Sequence, residues 1–227
     1  MVDAVVNSAF RSAGQRCSAL RLLCVHESIA DKVIEMVQGA ALELVTGDAA
    51  LLSTDVGPVI DAEAFESIQK HIERLKSTSK VITKEVKVQK IHVQAAPNTV
   101  ASCAFEVASI ADVKTEIFGP VLHIVRWGGD PADVIDQINT LGYGLTLGIQ
   151  TRIDSRAQQL ATRAHVGNVY INRAMTGAVV GVQPFGGEGL SGTGPKAGGP
   201  HYLHRFCTEQ TVTVNTTAAG GNVALMA

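Results

Sequence analysis

One cysteine stands among neighbours that favour nucleophilic chemistry. Cys17 follows Arg16 and precedes two small residues, Ser18 and Ala19. A thiolate is the reactive form of cysteine, and a nearby positive charge favours that form. The small neighbours leave room for a substrate carbon to approach the sulfur. The alternative is an inert thiol ahead of a core strand, because free cysteine is usually buried.

The elements around Cys17 are predicted to be a helix before it and a strand after it. Residues 3–10 have the pattern of a helix interior, and the helix is predicted to end near Gly14. Residues 20–26 form an apolar run with the length of a buried strand. Ser28 is then predicted to cap a helix over residues 29–44. Cys17 would therefore lie in a short turn between two packed elements.

Further along the chain, predicted strands alternate with predicted helices. An amphipathic helix is predicted over 61–76, with further helices at 131–139 and 154–164. A half-exposed strand or hairpin is predicted over 80–93, with strands at 97–105, 120–127, 145–151 and 169–172. This alternation predicts an α/β fold with βαβ units and a largely parallel sheet.

The last fifty residues have a different composition. Residues 181–199 hold eight of the 22 glycines, which predicts a long ordered loop. Residues 208–215 alternate Val212 and Val214 with threonines, which predicts a strand. Because an unpaired strand near a terminus often pairs with another chain, residues 208–214 are expected to form a homo-oligomer contact.

Two patterns in this region look functional but lack the necessary context. Residues 187–192 fit GxGxxG, yet breakers flank them on both sides, whereas a dinucleotide fingerprint needs a preceding strand and a following helix. His201 and His204 are three apart, but no third ligand accompanies them, so no metal site is expected.

Composition narrows the class of protein further. Among 227 residues, 46% are hydrophobic and 18% charged, which allows a large core. The net charge of −2, without a basic cluster, argues against nucleic acid or an anionic membrane as a partner. No run is apolar enough to span a bilayer. Four cysteines without metal or disulfide spacing, and no secretory signal, favour a reducing, cytoplasmic location.

Five motifs, taken together, resemble the C-terminal half of the NAD(P)-dependent aldehyde dehydrogenase family. Each is weak alone, but all five occur in the family's order across about residues 1–215. The resemblance implies the aldehyde dehydrogenase catalytic domain as the fold. The motifs are Gly14 to Cys17, Glu116 to Pro120, Tyr143 to Gly148, Gly167 to Asn172 and Pro184 to Gly192.

The resemblance assigns roles to several residues. Cys17 matches the nucleophile that attacks the aldehyde carbon, giving a thiohemiacetal and then a thioester that water hydrolyses. Arg16 would favour the thiolate or attract an anionic substrate, unless it is a structural cation. Glu116 matches the carboxylate that binds the nicotinamide ribose of NAD. Phe118 matches the residue beside the nicotinamide ring, unless it is simply a core residue.

A subfamily is also indicated. Residues 177–185 and 194–201 resemble the L-glutamate γ-semialdehyde (Δ1-pyrroline-5-carboxylate) dehydrogenases. In that subfamily the backbone N–H groups matching Gly177 and Ala178, with the hydroxyl of Ser18, bind the substrate carboxylate, while Phe185 packs on its aliphatic part. The alternative is a loop shaped only for folding.

The C-terminal tail indicates a larger parent protein. Residues 215–222 resemble the ending of the bifunctional proline utilisation A family, which implies a proline dehydrogenase domain in the same chain. Small departures from the subfamily occur at Ala174 and Thr176.

The family's cofactor domain, general base and oxyanion asparagine have no match in residues 1–16. We therefore expect a fragment, inactive alone, with a catalytic part at 1–207 and an oligomerisation strand and tail at 208–227. Three alternatives stay open: an enzyme for another small aldehyde, a non-catalytic folding or assembly module, and a thioester hydrolase with a histidine base.

Overall fold

A four-stranded sheet forms the centre of the fold. The computed structural model describes residues 1–83, 97–215, 218 and 224. The strands are β1 (Leu22–His26), β2 (Lys80–Val81), β3 (Cys103–Glu106) and β4 (Val121–Trp127), in the spatial order β1-β4-β3-β2. β4 runs parallel to both β1 and β3, and β2 is antiparallel to β3. The prediction of an α/β fold with a mainly parallel sheet is confirmed.

The core lies around β4, which explains why apolar residues occupy successive positions of this strand rather than alternate ones. A strand with neighbours on both sides and layers on both faces has no exposed face, so alternation disappears. The first five residues of β4 are all buried. The largest fully buried side chains include Phe10, Phe105, Leu122 and Ile124.

Five α-helices accompany the strands in the described part of the chain. They are α1 (Val2–Phe10), α2 (Glu27–Leu42), α3 (Ala62–Thr78), α4 (Pro131–Thr140) and α5 (Asp154–Arg163). α3 begins where Asp61 Oδ1 accepts a hydrogen bond from the backbone N–H of Ala64, at 2.8 Å. It buries Ile68, Ile72 and Leu75 at helical spacing, as the amphipathic pattern predicted.

Two small ladders stand apart from the main sheet. β6 (Thr146–Ile149) pairs in parallel with β7 (Asn168–Ile171), and β5 (Tyr143–Gly144) pairs antiparallel with β8 (Glu188–Gly189). β8 lies inside the GxGxxG pattern, and turns and irregular backbone follow it. The pattern is therefore part of a short antiparallel pair rather than a dinucleotide fingerprint.

Several predicted boundaries are wrong. His26, rather than Ser28, caps α2, because its Nδ1 accepts from the Ser28 backbone N–H at 3.2 Å. The strand predicted over 97–105 is shorter, since regular pairing begins only at Cys103. Of the predicted strand or hairpin at 80–93, only the first two residues are a strand, and residues 84–96 lie outside the described residues.

Residues 208–215 are not a strand in this structure, which corrects the expected C-terminal strand. They are exposed, and a strand exists only where its backbone pairs with a neighbour, which this segment does not find in the described part of the chain. Pairing with another copy remains a prediction.

The described residues contain neither a membrane-spanning helix nor a metal-binding cluster. No helix there has the length and apolarity needed to cross a membrane. No group of three or more metal-ligating side chains comes together there either, and His201 and His204 only face each other, with ring centroids 5.5 Å apart.

Candidate active site

A tight turn between α1 and β1 presents Cys17. After α1 the backbone forms a short 3₁₀ turn, Arg11–Gly14, and Gly14 has a φ of +65°. A Cβ on Gly14 would overlap the carbonyl of Gly119, so only glycine lets the two backbone segments meet. The Ala19 N–H then donates to the Arg16 carbonyl at 3.0 Å, closing a turn around Cys17.

Arg21 holds this turn against the segment that precedes β4. Its Nη1 donates to the carbonyl of Gly14 at 2.5 Å and to that of Gly119 at 3.2 Å. Its Nη2 donates to the carbonyl of Arg16 at 3.2 Å and to Glu116 Oε1 at 3.3 Å. One guanidinium therefore connects both sides of the candidate site.

The environment of Arg21 determines its charge and its contacts. Burial lowers the pKa of Arg21, while the charges of Glu116 and Cys17 act in the opposite direction. A guanidinium remains a cation at neutral pH. Its Cζ lies 5.0 Å from the ring centroid of Phe118, as in a cation–π contact. Arg21 is therefore a fixed positive charge that lines the same cavity as Cys17.

Cys17 and Glu116 line one cavity with Arg21. The cavity measures about 180 Å³. One wall comes from residues 19–22 leading into β1, and the facing wall comes from residues 145–148, which include the start of β6. Tyr143 and Ser191 add hydroxyl groups to the lining. The thiol and carboxylate that the sequence placed 99 positions apart therefore share one space.

The four cysteines differ sharply in environment. Cys17 and Cys207 are exposed, whereas Cys24 and Cys103 are half-buried. Burial raises the pKa of Cys24 to about 12 and that of Cys103 to about 12. Since only thiolate is nucleophilic, the two sheet cysteines are inert at neutral pH, and Cys17 is the thiol that opens into the cavity.

The remaining predicted residues do not line this cavity. Ser18 is buried, and its carbonyl accepts from Thr146 Oγ1 at 3.5 Å. Gly177 is exposed with a φ of +77°, and Ala178 is half-buried. Phe185 is half-buried and exchanges backbone hydrogen bonds with Ala197. The structure therefore joins Cys17 to Glu116 without joining the predicted substrate loop to them.

Arg21, for which the sequence predicted no role, lines the cavity with Cys17, and Arg16 does not. Arg16 is exposed, and its Nε donates to Ser12 Oγ at 3.0 Å. Arg21 is the cation that interacts electrostatically with Cys17. Sequence reasoning missed Arg21, and the one available signal was a cation placed within an apolar run, which needs several acceptors when buried.

A larger groove of about 670 Å³ runs along β7. Its lining includes Arg173, Lys196 and His201, and the Lys196 ammonium donates to the Gly167 carbonyl. No cysteine or predicted site residue belongs to this lining. The smaller cavity therefore carries the candidate chemistry.

Comparison with known proteins identifies the family of this chain. The aldehyde dehydrogenase family model matches residues 1–212. "Bifunctional protein PutA" of Escherichia coli is 51% identical over 205 residues, covering 89% of this chain and 16% of that protein. "1-pyrroline-5-carboxylate dehydrogenase 1" of Halalkalibacterium halodurans is 36% identical, covering 93% of this chain and 40% of that protein.

Solved structures give the same result. A crystal structure of a mutant of Bradyrhizobium japonicum Proline Utilization A (PutA) matches with a TM-score of 0.86 and 54% identity, over 96% of this chain and 22% of that one. A Thermus 1-pyrroline-5-carboxylate dehydrogenase with bound NAD matches with a TM-score of 0.80 and 36% identity, over 90% and 39%. The chain thus spans about a sixth of the length of its curated PutA relatives, and it belongs to the aldehyde dehydrogenase family.

Proposed function

We propose that this chain supplies the nucleophile-bearing part of a dehydrogenase that oxidises L-glutamate γ-semialdehyde to L-glutamate in proline catabolism. The observation that carries the proposal is the exposed Cys17 thiol in one cavity with Glu116 and the fixed cation Arg21. Relatives named for this chemistry, PutA and 1-pyrroline-5-carboxylate dehydrogenase, match about nine-tenths of the chain.

Cys17 would act as a covalent catalyst. Its thiolate attacks the aldehyde carbon, a carbon–sulfur bond forms, and the carbonyl oxygen takes up a proton to give a thiohemiacetal. Loss of hydride from that carbon and of the proton from its hydroxyl group leaves a thioester, which water cleaves to release the acid and the thiol. Arg21 holds the Cys17 turn in place during this sequence, through its hydrogen bonds to the carbonyls of Gly14 and Arg16.

Glu116 and Phe118 fit one end of a nicotinamide cofactor. The Glu116 side chain is 39% exposed, and its ion pair with Arg21 uses Oε1, which leaves an accessible oxygen for ribose hydroxyls. Phe118 is 44% exposed, an unusual position for a core aromatic and a suitable one for contact with a planar ring. NAD, when bound, supplies the hydride acceptor for the oxidation.

The carboxylate of the substrate would be bound by the loop that begins at Gly177. No hydrogen bond to another described residue occupies the backbone N–H of Gly177 or of Ala178. Successive free N–H groups in a turn with a positive φ form an anion-binding site. Ser18 and Phe185 are proposed to complete the substrate contacts, as in the subfamily that the sequence resembles.

The larger assembly belongs to the same proposal. A proline dehydrogenase domain would lie in the same parent chain, as the name of the bifunctional relatives suggests. Residues 208–214 would pair with a second copy, since Val212 and Val214 are 73% and 70% exposed and would be covered there. In this proposal residues 1–207 form the catalytic part of the chain. The protein is cytoplasmic, and residues 1–227 have no dehydrogenase activity on their own.

The test is a chimera in which this chain replaces the matching segment of the E. coli PutA protein. With 1-pyrroline-5-carboxylate and NAD, we expect NADH formation from the chimera and none from residues 1–227 alone. Cys17→Ala should abolish turnover. The matched control Cys207→Ala, which removes the other exposed thiol, should leave it unchanged. Turnover in the Cys17→Ala chimera would contradict the proposal.

A further inference from the structure

Two histidines connect the surface of α3 to the backbone of Arg21. His71 Nε2 lies 2.9 Å from His123 Nε2, and His123 Nδ1 lies 2.9 Å from the Arg21 carbonyl oxygen. At the outer end, Arg74 Nη2 lies 3.1 Å from His71 Nδ1. His123 sits in the middle of β4 and is 1% exposed, so this is a buried polar chain inside the apolar core.

The two ends of the chain fix where its protons lie. A carbonyl oxygen can only accept, so His123 Nδ1 carries a proton and donates to Arg21. A guanidinium N–H can only donate, so His71 Nδ1 carries no proton and accepts from Arg74. His71 Nε2 then donates to His123 Nε2. All three hydrogen bonds are satisfied with two protons on the pair and with both rings neutral.

A third proton would break this arrangement. It would place two donors face to face, either between the rings or between His71 and Arg74. The pKa of His71 is accordingly lowered to about 4, mainly by burial and then by His123 and Arg74. The pKa of His123 is also lowered, mainly by burial, with Arg74 and Arg21 acting in the same direction and its bond to the Arg21 carbonyl opposing.

Arg21 is the point where this chain meets the candidate site. Its carbonyl accepts from the His123 ring and also from the His123 backbone N–H, at 2.9 Å. Its guanidinium spans Gly14, Gly119 and Glu116 beyond it. The peptide of Arg21 is therefore anchored by β4, while its side chain anchors the Cys17 turn.

We propose that His123, held in its tautomer by His71, is a positioning residue that sets the place of the Arg21 guanidinium beside Cys17 and Glu116. Nothing else in the proposed reaction uses either histidine. The proposal rests on the proposed function only in treating Cys17 as the nucleophile. An apolar residue at position 123 would fill the same space but would leave the Arg21 carbonyl held by one donor instead of two.

The rate of Cys17 alkylation by iodoacetamide as a function of pH tests this directly, because the rate depends on the charges around the sulfur. In His123→Leu we expect alkylation at neutral pH to slow about threefold, because the Arg21 guanidinium is no longer held in place beside the sulfur. The matched variant His123→Asn keeps a side-chain N–H near the position of Nδ1, and it should restore the wild-type profile. Arg21→Met calibrates the full effect of removing the cation.

His71→Leu provides a second variant should His123→Leu fail to fold, because position 71 is only half-buried. It leaves His123 in place with an unpaired Nε2, and a smaller slowing of Cys17 alkylation is expected. A wild-type profile in folded His71→Leu, or in folded His123→Leu, overturns the proposal. Alkylation needs neither cofactor nor substrate, so this result is independent of NADH formation, on which the proposed function depends.

Discussion

The sheet around β4 and the glycine-rich segment 177–199 hold the chain in place by opposite means. In the sheet, buried side chains such as Phe105, Leu122 and Ile124 fill space. In the glycine-rich segment, backbones meet where side chains are absent, and a Cβ on Gly187 would lie 2.6 Å from the Gly144 carbonyl oxygen. One region depends on side-chain volume and the other on its absence, so similar substitutions should affect them differently.

The largest expected difference separates the sheet cysteines from the cysteine of the turn. A thiol with a pKa of about 12, such as that of Cys24 or Cys103, is ionised to about one part in ten thousand at pH 8. Burial slows reagent access further. We expect Cys17 to be alkylated by iodoacetamide at least about a thousandfold faster, as measured by mass spectrometry of each cysteine peptide over time.

Cys207 is the internal control for exposure alone. It is exposed like Cys17 but lies outside the cavity with Arg21 and Glu116. If the fixed cation matters, Cys17 should react faster than Cys207 in the native protein, and the difference should vanish in urea. Equal alkylation rates of Cys17 and Cys24 in the native protein would contradict the predicted difference between the turn and the sheet.

Two phenylalanines test the dependence on volume. Phe105 is 1% exposed in β3, whereas Phe118 is 44% exposed beside Arg21. Phe105→Ala should lower the free energy of unfolding by about 3–5 kcal/mol, since it leaves a cavity in the core. Phe118→Ala should lower it by less than about 1 kcal/mol, because little buried area is lost. Urea unfolding monitored by circular dichroism measures both, and similar losses would contradict the distinction.

Two glycines test the dependence on missing side chains. Gly187→Ala should cost about 2–3 kcal/mol, because its new methyl group meets the backbone of Gly144 and Leu145 rather than a flexible side chain. Gly39→Ala is the matched control in the last turn of α2, where nothing lies within 4 Å of a new Cβ. It should stabilise the protein by about 0.5–1 kcal/mol through helix propensity. The same urea titration shows whether the two changes differ in sign.

The difference between packing by side chains and contact between backbones also explains which features the sequence could predict. Hydrophobic periodicity placed α3 and β4 to within two residues, because burial of a repeating face is a local signal. The His26 cap was missed, since a ring nitrogen can accept from the first turn as serine does. Cys17 and Glu116 were both found through motifs, and the structure places them in one cavity.

Arg21 and the histidine pair could not be predicted in the same way. Their roles depend on contacts between positions about 50 to 100 residues apart, and no spacing rule describes such contacts. For the predicted substrate loop, the sequence identified the residues but not their position. Motif resemblance identified Gly177 and Phe185, but where the loop lies relative to Cys17 depends on packing that local patterns do not specify.

The smallest expected effect is the pH dependence of stability that His71 causes where α3 packs on the sheet. The pKa of His71 in the folded protein is about 4, below the ordinary value of 6.5. Between those two values the unfolded chain binds more protons, so this histidine lowers stability as the pH falls. Because His71 is only half-buried, solvent screening reduces the expected loss to about 1 kcal/mol between pH 7 and 4.5.

His71→Gln isolates that contribution, because it removes the titrating ring but keeps an amide N–H to face His123. The wild type should lose about 1 kcal/mol more stability than this variant over the same pH range, in matched urea titrations. Acidic groups such as Glu106, whose pKa is lowered by Arg126, weaken both proteins equally and cancel in the difference. Parallel curves would show that the unfolding of the sheet does not sense the proton state of His71.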